Sequence, residues 1–195
     1  MDYNFSDKVK TLEANAIREI FKLLSSPGII SFAGGFPTLS ALPVKEIAQI
    51  TNEILSSEKA ASILQYGGTE GYPPLLESGL NYAKRTGLSG TVENTLVISG
   101  GQQGIDLTYK AFLNKGDAVL FENPTYLASL HILKTYEGKA VGVESDDDGL
   151  NIEDLEKKIK AHRPKILYVV PNFSNPTGKT LPAEKRKQIA SLTAR

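Results

Sequence analysis

The hydrophobic positions follow two different periods along the chain. Up to about residue 85 they recur every three or four residues, which predicts helices separated by Gly- and Pro-rich segments. After residue 90, short apolar runs alternate with segments of helical period. The predicted helices cover residues 9–24, 43–56, 73–85, 102–113, 125–136, 152–161 and 182 to the end, and the predicted strands cover 95–99, 117–121, 139–143 and 165–170. Strands that alternate with crossover helices indicate an α/β fold with three layers, α/β/α, around a mostly parallel sheet.

Composition narrows the classes of function. The chain has 195 residues, and 22 Lys and Arg balance 22 Asp and Glu, so it lacks the basic field that nucleic acid or an acidic membrane attracts. It contains no Cys, which excludes a disulfide framework and thiolate metal sites. The start is polar, unlike a signal peptide, and no apolar run reaches the ~18 residues of a membrane span. We therefore expect a cytoplasmic protein that binds neither nucleic acid nor membranes.

A glycine-rich turn, SGGQQG at residues 99–104, lies between a predicted strand and a predicted helix. Ser99, Gly100, Gly101 and Gln102 open this turn, and a helix N-terminus offers unpaired N–H groups and a partial positive charge to an anion. The turn also resembles a dinucleotide fingerprint with its first glycine replaced, and Glu122 falls where a ribose-binding acid would lie. Three interpretations therefore stay open: an anion cradle, an NAD site, and glycines that serve only a tight turn.

Four loops combine glycine or proline with aromatic residues, at positions 31–37, 65–72, 123–126 and 171–178. The last two follow predicted strands, and the loops at the carboxyl ends of parallel strands gather at one crevice. Tyr126 would bring an aromatic ring there and Asn175 an amide. Together with the anion cradle, these groups suit a flat, phosphorylated heteroaromatic ligand. We predict no metal site, because neither histidine nor the acidic run has the required ligand spacing.

The same loops resemble, in order, the motifs of one enzyme family. The matching segments are SFAGGFP at 31–37, YGGTEG at 66–71, SGGQQ at 99–103, NPTY at 123–126 and PNFSNPTG at 171–178. They are similar to the N-terminal half of class I/II aminotransferases, which are pyridoxal-phosphate (PLP) enzymes of fold type I. Within that family, the sequences of these segments most resemble the aminoadipate/kynurenine subgroup. The resemblance implies an enzyme that transfers an amino group between an amino acid and a 2-oxo acid.

The resemblance also implies roles for individual residues. Gly101 and Gln102 would hold the PLP phosphate through their backbone amides, while Ser99 and Gly100 shape the turn. Tyr126 would stack on the pyridine ring. A further role falls to Asn175, which would hydrogen-bond the phenolic oxygen of the cofactor and contact the substrate. The bonds Asn123-Pro124 and Asn175-Pro176 are candidate cis peptides.

Three more residues receive roles through the resemblance. Tyr66 would reach the phosphate bound by a neighbouring subunit, which implies a homodimer. Gly35 would approach the substrate carboxylate. Arg18 would contact the substrate side chain, although a plain surface arginine is an equally open interpretation.

One departure from the family pattern concerns catalysis. The family's cofactor-bearing lysine lies well downstream, and no lysine of this chain matches its position. We therefore expect the 195-residue chain alone to be inactive. Residues 1–42 would form a helix and arm of the small domain, and 43–195 an incomplete PLP-binding domain. The alternative from another class is a non-catalytic PLP-binding sensor module of a transcription regulator or split protein.

Overall fold

A computed structural model describes residues 3–10 and 38–194. Of these, residues 3–10 and 98–194 form one compact unit and residues 38–97 form another. The helices are α1 (Asp7–Lys10), α2 (Val44–Leu55), α3 (Ala60–Ile63), α4 (Pro73–Arg85), α5 (Gly101–Phe112), α6 (Leu127–Thr135), α7 (Ile152–His162) and α8 (Ala183–Thr193), with 3₁₀ turns at Leu39–Ala41 and Val92–Asn94. The strands are β1 (Ala118–Glu122), β2 (Lys139–Val143), β3 (Ser145–Asp146), β4 (Gly149–Leu150) and β5 (Ile166–Tyr168).

The larger unit is built on a parallel sheet in the order β2-β1-β5. β1 is its centre, and all five residues of β1 are buried. Their side chains alternate between the two faces of the sheet, as the strand period requires. On one face Leu120 packs in a core with residues of α7 and α8, and on the other Val119 and Phe121 pack with Tyr109 of α5 and Leu133 of α6. The predicted three-layer arrangement with a parallel sheet is confirmed.

The last residue of β1 fixes the segment that follows β5. Glu122 is only 4% exposed, and its Oε2 atom accepts hydrogen bonds from the N–H of Val170 at 3.0 Å and from Oγ of Ser174 at 3.3 Å. These donors lie 48 and 52 residues further along the chain. Both bonds join the end of β1 to the segment that follows the neighbouring strand β5, so they fix the path of that segment.

The far edge of β5 has no strand partner among the described residues. A cleft of about 520 Å³ follows this edge on the side of α7 and α8, and one of about 410 Å³ follows it on the side of α5. Leu167 and Val169 contribute to both clefts.

The smaller unit confirms the predicted helices at 43–56 and 73–85, which the structure shows as α2 and α4. Pro73 opens α4 at a position where its missing N–H costs no helical hydrogen bond. Leu76 is the one buried residue within 38–97, and the apolar residues of α2, such as Ile47 and Ile50, are exposed.

Two predictions need correction or fall outside the described residues, and one hairpin was not predicted. The strand predicted at 95–99 is wrong: this segment forms no ladder, and Leu96, Val97 and Ile98 are exposed. A strand requires a neighbour for its backbone groups, and among the described residues the N–H of Val97 bonds only the carbonyl of Glu70, at 2.8 Å. The acidic run at 146–148 belongs to a short β3–β4 hairpin, which the sequence did not indicate. Most of the helix predicted at 9–24 lies outside the described residues.

No helix within 3–10 and 38–194 has the length and apolar character needed to cross a bilayer.

The buried carboxylate of Glu122 gives a first prediction. The substitution Glu122→Met should lower the free energy of unfolding by about 2 kcal/mol, because the half-buried N–H of Val170 and the buried hydroxyl of Ser174 lose their acceptor. Glu122→Gln keeps an acceptor oxygen for both donors and should cost less than half as much. Urea unfolding measures both losses.

Glu144→Met is the matched control, since Glu144 is exposed and directly follows the neighbouring strand β2. Equal losses for Glu122→Met and Glu144→Met would show that the carboxylate of Glu122 does not hold the segment after β5.

Candidate functional site

Helix α5 begins at the glycine-rich turn. Gly100 precedes the helix with φ +94°, a left-handed conformation that favours glycine, and Gly101 is the first helical residue. Ser99 donates its N–H to Oε1 of Gln103, which closes the turn. Helix geometry leaves the N–H groups of Gly101 and Gln102 without an acceptor inside the helix. A Cβ added at Gly100 or Gly101 would meet no heavy atom within 4 Å, so open space lies beside both glycines.

The ring of Tyr126 lies next to this helix start. Nε2 of Gln102 donates a hydrogen bond of 2.9 Å to the hydroxyl of Tyr126. Tyr126 is half-buried and directly precedes α6. The structure thus brings the 99–104 turn and the 123–126 loop together, as the sequence analysis expected, although the described residues before the 99–104 turn form no strand.

The segment that carries Asn175 is tied down at several points. Ser174 bonds Glu122 through its hydroxyl, and its N–H donates to the carbonyl of Lys179 at 2.7 Å. The guanidinium of Arg186 donates to the carbonyl of Pro171 at 3.0 Å and to Oδ1 of Asn172 at 2.6 Å. Asn175 itself is exposed, between two such anchors.

The peptide bonds Asn123-Pro124 and Asn175-Pro176 are both cis, which confirms the prediction made for them.

Burial affects the pKa of two tyrosines near the candidate site. It raises the pKa of Tyr168, and negative charge at Tyr109, Tyr126 or Glu122 would raise it further. It also raises the pKa of Tyr109, while the hydrogen bond from Ser129 opposes this. Tyrosine is protonated at neutral pH even without such a shift, so both hydroxyls are neutral there.

Three of the predicted site residues are not placed in this group. Arg18 and Gly35 lie outside the described residues. Tyr66 belongs to the smaller unit, where its side chain is fully exposed.

Sequence reasoning missed two features of the site and misassigned a third. The side chain of Gln102 had no role beyond its backbone, because a contact between residues 24 positions apart leaves no local pattern. Thr125 is buried, and within the described part of the chain its hydroxyl has no hydrogen-bond partner. The NAD interpretation assigned Glu122 to the binding of a ribose. The structure instead shows Glu122 buried and hydrogen-bonded to Val170 and Ser174, so the NAD interpretation does not fit.

The sequence and the fold of this chain match those of known proteins. The family model for aminotransferase class I and II matches residues 27–195. Aromatic-amino-acid aminotransferase 1 of Thermococcus litoralis is 37% identical over 100% of this chain and 48% of its own length. The 2-aminoadipate transaminase of Thermus thermophilus is 36% identical over 93% of this chain and 44% of its own length.

A solved structure shows the same fold. Pyrococcus horikoshii kynurenine aminotransferase, crystallised in complex with PMP and with KYN as substrates and KYA as products, superimposes with a TM-score of 0.88 and 38% identity. The match covers 98% of this chain and 48% of that one. The chain thus spans about half the length of the relatives it matches. Family model, relatives and fold agree: the chain belongs to the class I and II aminotransferases, which are enzymes of fold type I.

Proposed function

We propose that this chain is the N-terminal part of a PLP-dependent aminotransferase that moves an amino group between an amino acid and a 2-oxo acid. The family uses PLP, and one observation in the structure carries the proposal to this chain. The hydrogen bond between Gln102 and Tyr126 puts an aromatic ring beside the free N–H groups at the start of α5.

The start of α5 suits the phosphate of PLP. The N–H groups of Gly101 and Gln102 would donate to phosphate oxygens, and the positive end of the helix dipole would favour the anion. The open space at Gly100 and Gly101 leaves room for a close approach to the backbone. Ser99 contributes by closing the turn through Gln103.

Tyr126 and Asn175 would orient the ring of the cofactor. The half-buried phenol ring of Tyr126 offers a flat apolar face for stacking. The side-chain amide of Asn175 would donate a hydrogen bond to the phenolic oxygen of PLP and so favour its ionised form. When bound, PLP supplies an electron sink for the α-carbon of an amino acid.

Substrate and dimer contacts extend this proposal. Gly35 would approach the substrate carboxylate, and Arg18 would read the substrate side chain. Tyr66 would reach the phosphate bound by a second copy in a homodimer, and its full exposure leaves it available for that contact. Residues 1–42 would serve as the arm of a small domain and 43–195 as part of the PLP-binding domain, in a cytoplasmic protein.

The phosphate site can be tested with a charge. Gly101→Glu should weaken PLP binding at least tenfold, because a carboxylate would stand where the phosphate binds. The helix should still form, since an acidic residue in the first turn of a helix is favourable and its Cβ has room. Titration of the chain with PLP, followed by visible absorbance, measures the affinity, and circular dichroism checks the fold.

Thr108→Glu is the control, because it adds the same charge at an exposed position of the same helix. Unchanged PLP affinity in Gly101→Glu would contradict the proposed phosphate site.

Turnover separates binding from catalysis. With PLP, an amino acid and a 2-oxo acid, the 195-residue chain should form no product. Borohydride reduction followed by peptide mapping should label no single lysine. Lys179, which follows the PNFSNPTG segment, already donates to the carbonyl of Asp146. Turnover together with one specifically labelled lysine would contradict the expected inactivity.

The same assay tests the alternative, a non-catalytic PLP-binding module. Both proposals expect PLP to bind to the chain alone. A polypeptide equivalent to the second half of the relatives should restore turnover if the chain is part of an aminotransferase. If the chain binds PLP but shows no turnover, whether or not this second polypeptide is present, the sensor module is favoured.

A further inference from the structure

The hydrogen bond between Gln102 and Tyr126 joins two helix starts. Gln102 is the second residue of α5, and Tyr126 directly precedes α6. The amide Nε2 lies 2.9 Å from the phenol oxygen. This bond is at the exposed end of a longer contact between the two helices.

The deeper part of that contact is fixed independently. The hydroxyls of Tyr109 on α5 and Ser129 on α6 are 2.7 Å apart and buried. The hydroxyl of Tyr136, at the end of α6, donates to Oδ1 of Asp106 on α5 at 2.8 Å. These bonds set the backbone of α6 relative to α5, so the effect left to the bond from Gln102 is on the orientation of the Tyr126 ring.

We propose that Gln102 is a positioning residue, whose side-chain amide holds the ring of Tyr126 at the angle that a flat, phosphorylated ring ligand requires. The inference rests on the proposed function, since PLP is the ligand used to test it. One residue then serves both ends of the ligand: its backbone N–H meets the phosphate, and its side chain sets the aromatic platform. Holding the ring before binding reduces the conformational entropy that the complex must lose.

The two roles of Gln102 can be separated by substitution. Gln102→Met removes the side-chain donor but keeps the backbone N–H and a side chain of similar length. Tyr126→Phe removes the acceptor but keeps the ring that stacks. A double-mutant cycle of these changes isolates the hydrogen bond between them.

PLP affinity is the readout of the cycle. Each single variant should bind PLP about three- to tenfold more weakly, the effect of one neutral hydrogen bond. The double variant should bind no more weakly than either single variant. Affinity for inorganic phosphate should stay unchanged in all three, whereas damage to the start of α5 would weaken phosphate and PLP alike. Lys110→Met, an exposed position in the last turn of the same helix, controls for general effects on stability.

Additive losses in the cycle, or an equal loss of phosphate affinity, would overturn the positioning role. A second measurement uses the ligand-free chain, in which nuclear Overhauser effects should connect the side-chain amide of Gln102 to the ring protons of Tyr126. Their absence would also overturn it. If they are present but the wild-type chain does not bind PLP, the proposed function fails and the role of Gln102 toward PLP fails with it. If PLP binds and the cycle is additive, only the role of Gln102 fails.

Discussion

The parallel pairing of β1 with a strand on each side is the constraint on which the rest of this structure depends. Parallel strands end at the same edge of a sheet, so the segments after β1 and β5 must leave it side by side. Glu122 holds these two segments at a fixed separation, because its buried carboxylate at the end of β1 accepts hydrogen bonds from the segment after β5. The residues proposed to orient a cofactor ring, Tyr126 and Asn175, are carried by these two segments.

The residues proposed to contact a ligand differ in burial from the residues that support them. Glu122 is bonded to Ser174, Tyr109 is bonded to Ser129, and all four residues are buried. Gly101, Gln102 and Asn175 are exposed on the elements that these bonds hold. Buried polar groups that are fully paired give a unique geometry, whereas groups intended for a ligand must remain open to it. Buried hydrogen bonds therefore hold the elements that carry the exposed residues, which gives the proposed site a defined geometry.

Local patterns in the sequence predicted much of this fold. They did not predict the contacts between residues that are far apart in the sequence. The apolar runs of β1, β2 and β5 and the glycine-rich start of α5 carry their own signals, and all four are found where they were predicted. The segment 95–99 carries the same apolar signal but forms no strand, since pairing depends on a neighbour that the pattern does not specify. The hydrogen bonds from Val170 and Ser174 to Glu122, and the bond from Gln102 to Tyr126, depend on tertiary packing. They could be found only in the structure.

The central claim is that the backbone at the start of α5 binds the phosphate of PLP. The amide resonances of Gly101 and Gln102 in the ¹⁵N-labelled chain test it directly, by titration with PLP and with pyridoxal, which has the same ring but no phosphate. Both resonances should shift with PLP and stay in place with pyridoxal. Resonances that move equally with both compounds, or with neither, would contradict the account.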